Sequence, residues 1–282
     1  MTTRCPPERV LARVPAWRGA AALSCCPLEA GRSNRSWRVT ADGREYVLRL
    51  SSGRVPVPVF DPRRELVVHR AAASAGLAPP LEYADPEAGI LVTHFLEGEV
   101  VPAPDFADPG TLGRIGPLLR RVGELPDPGG GYTLGGAGEA YLSMIRDDAL
   151  QRYGGRLVEG LHALPPPADP RVCHMDPVVG NLVRTDNGLQ LIDWEFAVAG
   201  DPLFDVAAIV AYHDLDAAAA RCLLEAWADS PDERIRARLT RLVWAHDALH
   251  WLWLVATGAG RDGEMQRLED RLAVSPTVSD PD

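Results

Sequence analysis

The chain has 282 residues, 46% of them apolar, and a formal net charge of −10. That length suits roughly two domains, the acidic balance argues against a nucleic-acid partner, and no apolar run approaches the roughly 18 residues of a membrane helix. The opening MTTRCPPERV has no apolar segment of the signal-peptide kind, so a cytoplasmic protein with no membrane partner is expected.

Five cysteines without metal-ligand spacing read as reduced thiols. All 29 basic residues are arginine. Any position that needs a cation therefore has to use a guanidinium.

Residues 37–50 predict a hairpin, because WRVT and EYVLRL flank Asp42-Gly43, a tight-turn pair. On the second strand Tyr46, Leu48 and Leu50 share one face, and Val47 and Arg49 the other. A guanidinium keeps its charge in a protein, so Arg49 on an apolar strand must be there to hold something. SSGRVPVPVF (51–60) reads as a loop. A helix follows, with Asp61 as N-cap, Pro62 at its first position, Glu65 in its first turns and Gly76 as its stop. GILVTHFLEG (89–98) reads as one more strand running into a loop.

After residue 97 the pattern turns helical. Residues 109–125 and 139–164 read as helices, the glycine-rich 126–138 as the loop between them, and PPPADP (165–170) as a break. NLVRTDNGLQLID (181–193) predicts a second hairpin turning at Asp186-Asn187-Gly188. The remainder reads as helix to about residue 274. The expected class is α+β with a cleft: a strand-rich N-lobe at 1–96, a helical C-lobe at 97–275, and a frayed tail at 276–282.

With the second hairpin centred on Asn187, Asn181 lies six residues before the centre and Asp193 six after, so both should meet at the open end. An amide oxygen beside a carboxylate suits a hard cation such as Mg²⁺. Asp176 enters the same place five residues before Asn181. Two acids and an amide facing a fixed arginine point to phosphoryl transfer, which needs positioning and charge neutralisation more than covalent chemistry.

These residues also carry a resemblance. HMDPVVGN (174–181) resembles the His-x-Asp-x-x-x-x-Asn catalytic loop of the protein-kinase-like fold. LIDWE (191–195) resembles the metal-binding segment of the aminoglycoside-phosphotransferase and choline-kinase branch. GRSNRSWRV (31–39) with YVLRL (46–50) resembles the opening strands of choline, ethanolamine and thiamine kinases, and the run from Cys173 to Ala197 is similar above all to bacterial thiamine kinases.

The resemblance runs from about residue 20 to residue 210. It implies a bilobal fold, ATP and Mg²⁺ as cofactors, and phosphorylation of a hydroxyl of a small, cationic alcohol, thiamine or choline/ethanolamine. An aminoglycoside phosphotransferase is the alternative within the class. A catalytically silent nucleotide-binding module is the alternative outside it, disfavoured because Asp176, Asn181 and Asp193 are all present.

The same resemblance implies residue roles. Asp176 would orient the substrate hydroxyl, Asn181 and Asp193 would bind Mg²⁺, and His174 would order the loop. Arg49, held by Glu65, would contact the α- and β-phosphates. Ser33 and Asn34 would lie in the loop covering the phosphates. Thr93, His94, Phe95, Leu96 and Glu97 would form the hinge that receives adenine through backbone groups. The chain departs from the pattern at Pro177-Val178-Val179, where relatives carry a histidine.

Other residues read more plainly. Asp186 and Asn187 are turn formers, Asp201-Pro202 caps the next helix, Asp205 braces that region, and the single histidines His69, His94 and His213 have structural side chains. Trp244, Asp247 and Trp251 share a helical face, with His246, His250 and Trp253 as the neighbouring stripe. Aromatic faces beside a carboxylate suit a quaternary ammonium or thiazolium ring, and the same pattern equally fits the core face of a buried helix.

Overall fold

Alternation of apolar side chains is clearest in β2 (Asn34–Ala41), the second strand of an antiparallel sheet that also contains β1 (Leu23–Leu28), β3 (Arg44–Ser51), β4 (Leu81–Asp85) and β5 (Ile90–His94), in the order β1-β2-β3-β5-β4. The computed structural model describes residues 5–28, 34–51, 60–260 and 263–273. Ser33, most of the expected loop 51–60 and the expected tail lie outside them.

The β2–β3 hairpin turns at Asp42 (φ 48°) and Gly43 (φ 79°), as the Asp-Gly pair requires. Tyr46, Leu48 and Leu50 join Trp37, Val39, Ile90 and Val92 in one cluster. Val10, Val14 and Trp17, from around the short helix α1 (Glu8–Leu11), close that cluster. Arg49 is left on the opposite face.

That face meets α2 (Pro62–Ser74). The Asp61 carboxylate accepts from the N–H groups of Arg63 at 2.8 Å and Arg64 at 3.4 Å, and Pro62 opens the helix. Its buried residues Val68 and Ala72 belong to the larger apolar cluster, with the helices that follow, and not to the sheet cluster. The helix is thus packed toward the C-terminal half while Glu65 faces the sheet.

Beyond β6 (Glu99–Val100) come α3 (Pro109–Gly123), α4 (Leu134–Leu142) and α5 (Asp148–Ala163). Two expectations change here. The glycine-rich 126–138 is not all loop, because α4 starts inside it, with Thr133 Oγ1 capping the N–H of Gly136 at 3.0 Å. A Cβ at Gly138 would press on Leu161 and Val158 of α5, so this glycine serves close helix packing. The helix expected over 139–164 is broken, and Asp147 caps a fresh one by accepting from Ala149 and Leu150.

Next, β7 (Arg171–Cys173), β8 (Leu182–Thr185), β9 (Gly188–Leu191) and β10 (Val198–Gly200) form two small sheets, β6-β8-β9 and β10-β7. The β8–β9 register pairs Thr185 with Gly188 and Leu182 with Leu191. Only Asp186 and Asn187 are central, so the turn is centred half a residue earlier than expected. Asn181 consequently faces Ile192, whose N–H it accepts at 2.9 Å, and Asp193 is not directly opposite. Asp193 instead leaves the strand in the left-handed region (φ 63°). The described residues close with α6 (Phe204–Tyr212), α7 (Ala217–Trp227), α8 (Glu233–Thr257) and α9 (Glu264–Ala273).

Candidate active site

Arg49 answers the question its position raises. Its Nη2 donates to the Glu65 carboxylate on α2, and its Nη1 donates to the Asp193 carboxylate just past β9. Glu195 Oε2 lies 4.0 Å from the same Nη1. Burial alone would lower the Arg49 pKa, but Glu65, Asp193 and Glu195 outweigh it and raise it. Three carboxylates surround one guanidinium, so a further positive charge is favoured here.

Burial, and then the neighbouring Asp193 charge, push Glu195 up to about 8. Asn34 Nδ2 donates to Glu195 Oε2 at 2.8 Å. Asn34 is therefore the first residue of β2, paired with Ser51, and reaches across to the segment after β9 rather than sitting in a loop.

The segment between β7 and β8 carries Asp176 and Asn181. Asn181 Nδ2 donates to the Asp176 backbone oxygen at 3.0 Å and to its carboxylate at 2.9 Å. That orientation leaves Oδ1 as the remaining acceptor of the Asn181 amide. The entrance to the loop hangs on α6, where the Asp205 carboxylate accepts from the N–H groups of His174 and Met175, both at 2.8 Å. Burial raises Asp205 to about 7 despite these two bonds. His174 is fully buried, places Nε2 3.1 Å from the Ile192 oxygen, and is lowered by burial to about 4. A neutral, enclosed ring of this kind orders the loop and does not titrate near neutral pH.

An acid, an amide, a second acid and an arginine now meet at one cleft, from three parts of the chain: the segment between β7 and β8, the segment after β9, and β3. The sequence pattern of a family described as "Phosphotransferase enzyme family" matches residues 24–242. The chain belongs to the phosphotransferase enzyme family. Thiamine kinase of Salmonella typhi is 29% identical over 259 residues, 90% of this chain and 85% of that protein. Protein LicA of Haemophilus influenzae is 40% identical over 63 residues, so that match spans 22% of this chain and only 24% of the relative. Among solved structures, choline kinase LicA from Streptococcus pneumoniae superposes with a TM-score of 0.77 at 19% identity, covering 95% of this chain and 99% of that one. A LicA has also been solved in complex with AMP. The bilobal, kinase-like α+β fold expected from the resemblance is the fold of this phosphotransferase.

The rest of the expected site is placed unevenly. Thr93 and His94 end β5, but the N–H of His94 is given to Pro80 O and that of Phe95 to Glu45 O, each at 2.9 Å. Those two backbone donors are spent within the N-terminal part of the fold, and Thr93 is paired with Val47 and Leu81 inside the sheet, which narrows the expected hinge donors to Leu96 and Glu97. The Phe95 ring packs under Arg38, with the guanidinium carbon 4.1 Å from its centroid.

Trp244, Asp247 and Trp251 do not converge. Trp244 and Trp251 line a groove with Tyr153 and Leu157 of α5 and Glu269 of α9, while Asp247 is clamped by Arg271 at 2.9 and 2.5 Å. Its charge is already matched, which removes the reason to place a cation there.

The neighbouring stripe connects through Tyr212 to His213. Tyr212 lies 5.2 Å from His213 and 6.0 Å from His250, which lies 5.9 Å from Trp253. His213 Nε2 itself accepts from the Val179 N–H, in the segment between β7 and β8. Sequence reasoning also passed over Glu195, although it stands in the same LIDWE segment as Asp193.

Proposed function

We propose that this phosphotransferase uses ATP and Mg²⁺ to phosphorylate a hydroxyl of a small, cationic alcohol, with thiamine and choline/ethanolamine as the first candidates. One observation carries the reading: Arg49, fixed by Glu65, reaches Asp193 at the open end of the hairpin where Asp176 and Asn181 are hydrogen-bonded together. We place the lobes at 1–96 and 97–275, with the nucleotide between them.

In this reading Arg49 binds phosphate oxygens of ATP, and adenine lies against the hinge at Thr93–Glu97. Asn181 Oδ1 and the Asp193 carboxylate are oxygen donors of the kind Mg²⁺ takes, the rest of its shell coming from phosphates and water. Bound there, Mg²⁺ would neutralise charge on the phosphate oxygens. Asp176 accepts the proton of the alcohol. The alcohol oxygen bonds to the γ-phosphorus, the bond to the β,γ-bridging oxygen breaks, and ADP leaves.

The body of the alcohol lies along Tyr212, His250 and Trp253. Aromatic faces of this kind suit a cationic ligand. The net charge of −10 favours its approach.

The test is ADP release by purified protein with Mg-ATP and, separately, thiamine, choline, ethanolamine, a sugar and kanamycin. Turnover stimulated by one of the first three supports the reading. Stimulation by kanamycin alone replaces the substrate class, and no stimulation by any of them removes the function.

A further inference from the structure

The catalytic loop is held at its entrance by Asp205, near the N-terminus of α6. At the far end of the same helix, the Val179 N–H donates to His213 Nε2 at 3.3 Å, a contact 34 residues apart in sequence. His213 is the C-cap residue of α6. From Asp205 to His213 a helix rises about 12 Å. Thus α6 grips Met175 at one end and Val179 at the other, with Asp176 between the two grips.

We infer that His213 is a positioning residue for the phosphoryl transfer proposed above, fixing the Pro177-Val178-Val179 stretch and through it the angle of Asp176. The inference rests on that proposed activity.

The ring is itself held. It stacks on the fully buried Phe106, with centroids 3.8 Å apart and planes 11° apart. Accepting from an N–H through Nε2 requires a neutral imidazole with its proton on Nδ1. Burial, and then the nearby His246, hold His213 down at about 4, consistent with that form. Beyond Val179 the loop closes on itself: the Asn181 N–H donates to Val178 O at 3.0 Å, and Gly180 takes φ 97°. A fixed Val179 therefore fixes Asn181 as well.

With no histidine in the Pro177-Val178-Val179 stretch, that stretch has no ring of its own to anchor it, and His213 supplies one from outside. The neighbours that could charge or displace this ring are His246, named above, and Tyr212 beside it. Nε2 itself accepts from the Val179 N–H.

The experiment compares wild type, His213→Phe and His213→Gln. Phenylalanine keeps the stack on Phe106 and removes the acceptor, while glutamine puts an amide oxygen near the Nε2 position. With the best alcohol found above, His213→Phe should lower kcat by about ten- to a hundred-fold, since a displacement of about 1 Å at a reacting group has that order of effect. Its KM for ATP should stay within two-fold, and its Tm should stay close to wild type. His213→Gln should recover most of kcat.

Amide hydrogen exchange at Val179 gives a readout independent of turnover: it should quicken in His213→Phe and return toward wild type in His213→Gln. Equal kcat in wild type and His213→Phe overturns the inference, as does a Gln variant no better than Phe. A wild type inactive on every alcohol removes the activity this inference rests on. Unchanged Val179 exchange in His213→Phe shows separately that the tether is absent.

Discussion

Arg49 and Asp193, 144 residues apart, are joined by an ion pair that bridges the N-terminal sheet and the segment following β9. The same guanidinium uses its other terminal nitrogen on Glu65 of α2. One side chain therefore sets the relation of three elements around the cleft.

A lysine has one nitrogen where arginine has two at a fixed angle. Arg49→Lys should keep the contact with either Glu65 or Asp193 and loosen the other, weakening ATP binding by about ten-fold. Arg49→Ala leaves the buried Glu65 carboxylate without its partner and should destabilise the fold by about 3–5 kcal/mol. Nucleotide titration and thermal melting of both variants check this. Full ATP affinity in Arg49→Lys would show that charge alone matters and that the fork reflects only the lysine-free composition.

Asp176→Asn keeps a side chain of the same size beside Asn181 but cannot take up a proton. Its kcat should fall by about 10² to 10⁴-fold, the usual contribution of a positioned base. ATP affinity should change little, because in this reading Asp176 acts on the acceptor hydroxyl while Arg49 and the hinge hold the nucleotide. A parallel loss of ATP binding would mean that Asp176 acts on the nucleotide and not on the acceptor.

The two tryptophan stripes of α8 should separate cleanly. Trp253→Leu removes an aromatic face from the proposed acceptor wall and should raise KM for the alcohol several-fold, in line with about 1 kcal/mol for a cation on a ring. Trp251→Phe loses the bond from Nε1 to Glu269, 3.1 Å long, and should cost about 1 kcal/mol of stability with KM unchanged. Steady-state kinetics on both variants decides between the stripes.

How far these features could be read from sequence depended on their range. The Asp42-Gly43 hairpin, the Asp61-Pro62 helix start and the face carrying Arg49 are local patterns, and each was legible. The second hairpin was legible only to within one residue. Tight turns fix register by the number of central residues, and Asp-Asn-Gly allows either two or three. The strands β4, β7 and β10 were missed because they are short and half-buried, without clean alternation. The helical glycines of α4 read as loop because their role, close approach to α5, lies in a partner distant in sequence. On α8 the aromatic pattern was visible, but the partner that takes up the Asp247 charge, Arg271, comes from another helix.

His69 offers a stability test that does not involve activity. It is buried, places Nε2 2.9 Å from Pro79 O, and is lowered to about 4, chiefly by burial. A lowered folded pKa means that the unfolded chain takes up the proton first, so the neutral ring's contribution is present above about 6.5 and is lost as pH falls toward 4. His69→Gln can keep a donor to Pro79 and does not titrate. The stability gap between wild type and this variant should shift by roughly 2–3 kcal/mol in favour of the variant between pH 7.5 and 4.5. Denaturant melts at the two pH values measure it, and a pH-independent gap would contradict the depressed pKa.

The central claim is that the cleft moves a phosphoryl group onto an alcohol. The most direct measurement is the mass of the alcohol after incubation with wild-type protein and Mg-ATP, beside Asp176→Asn and a metal-chelated control. The account predicts an alcohol heavier by one phosphoryl group with wild type, and little or none in either control. ATP hydrolysis without a phosphorylated alcohol, or equal product from wild type and Asp176→Asn, would contradict it.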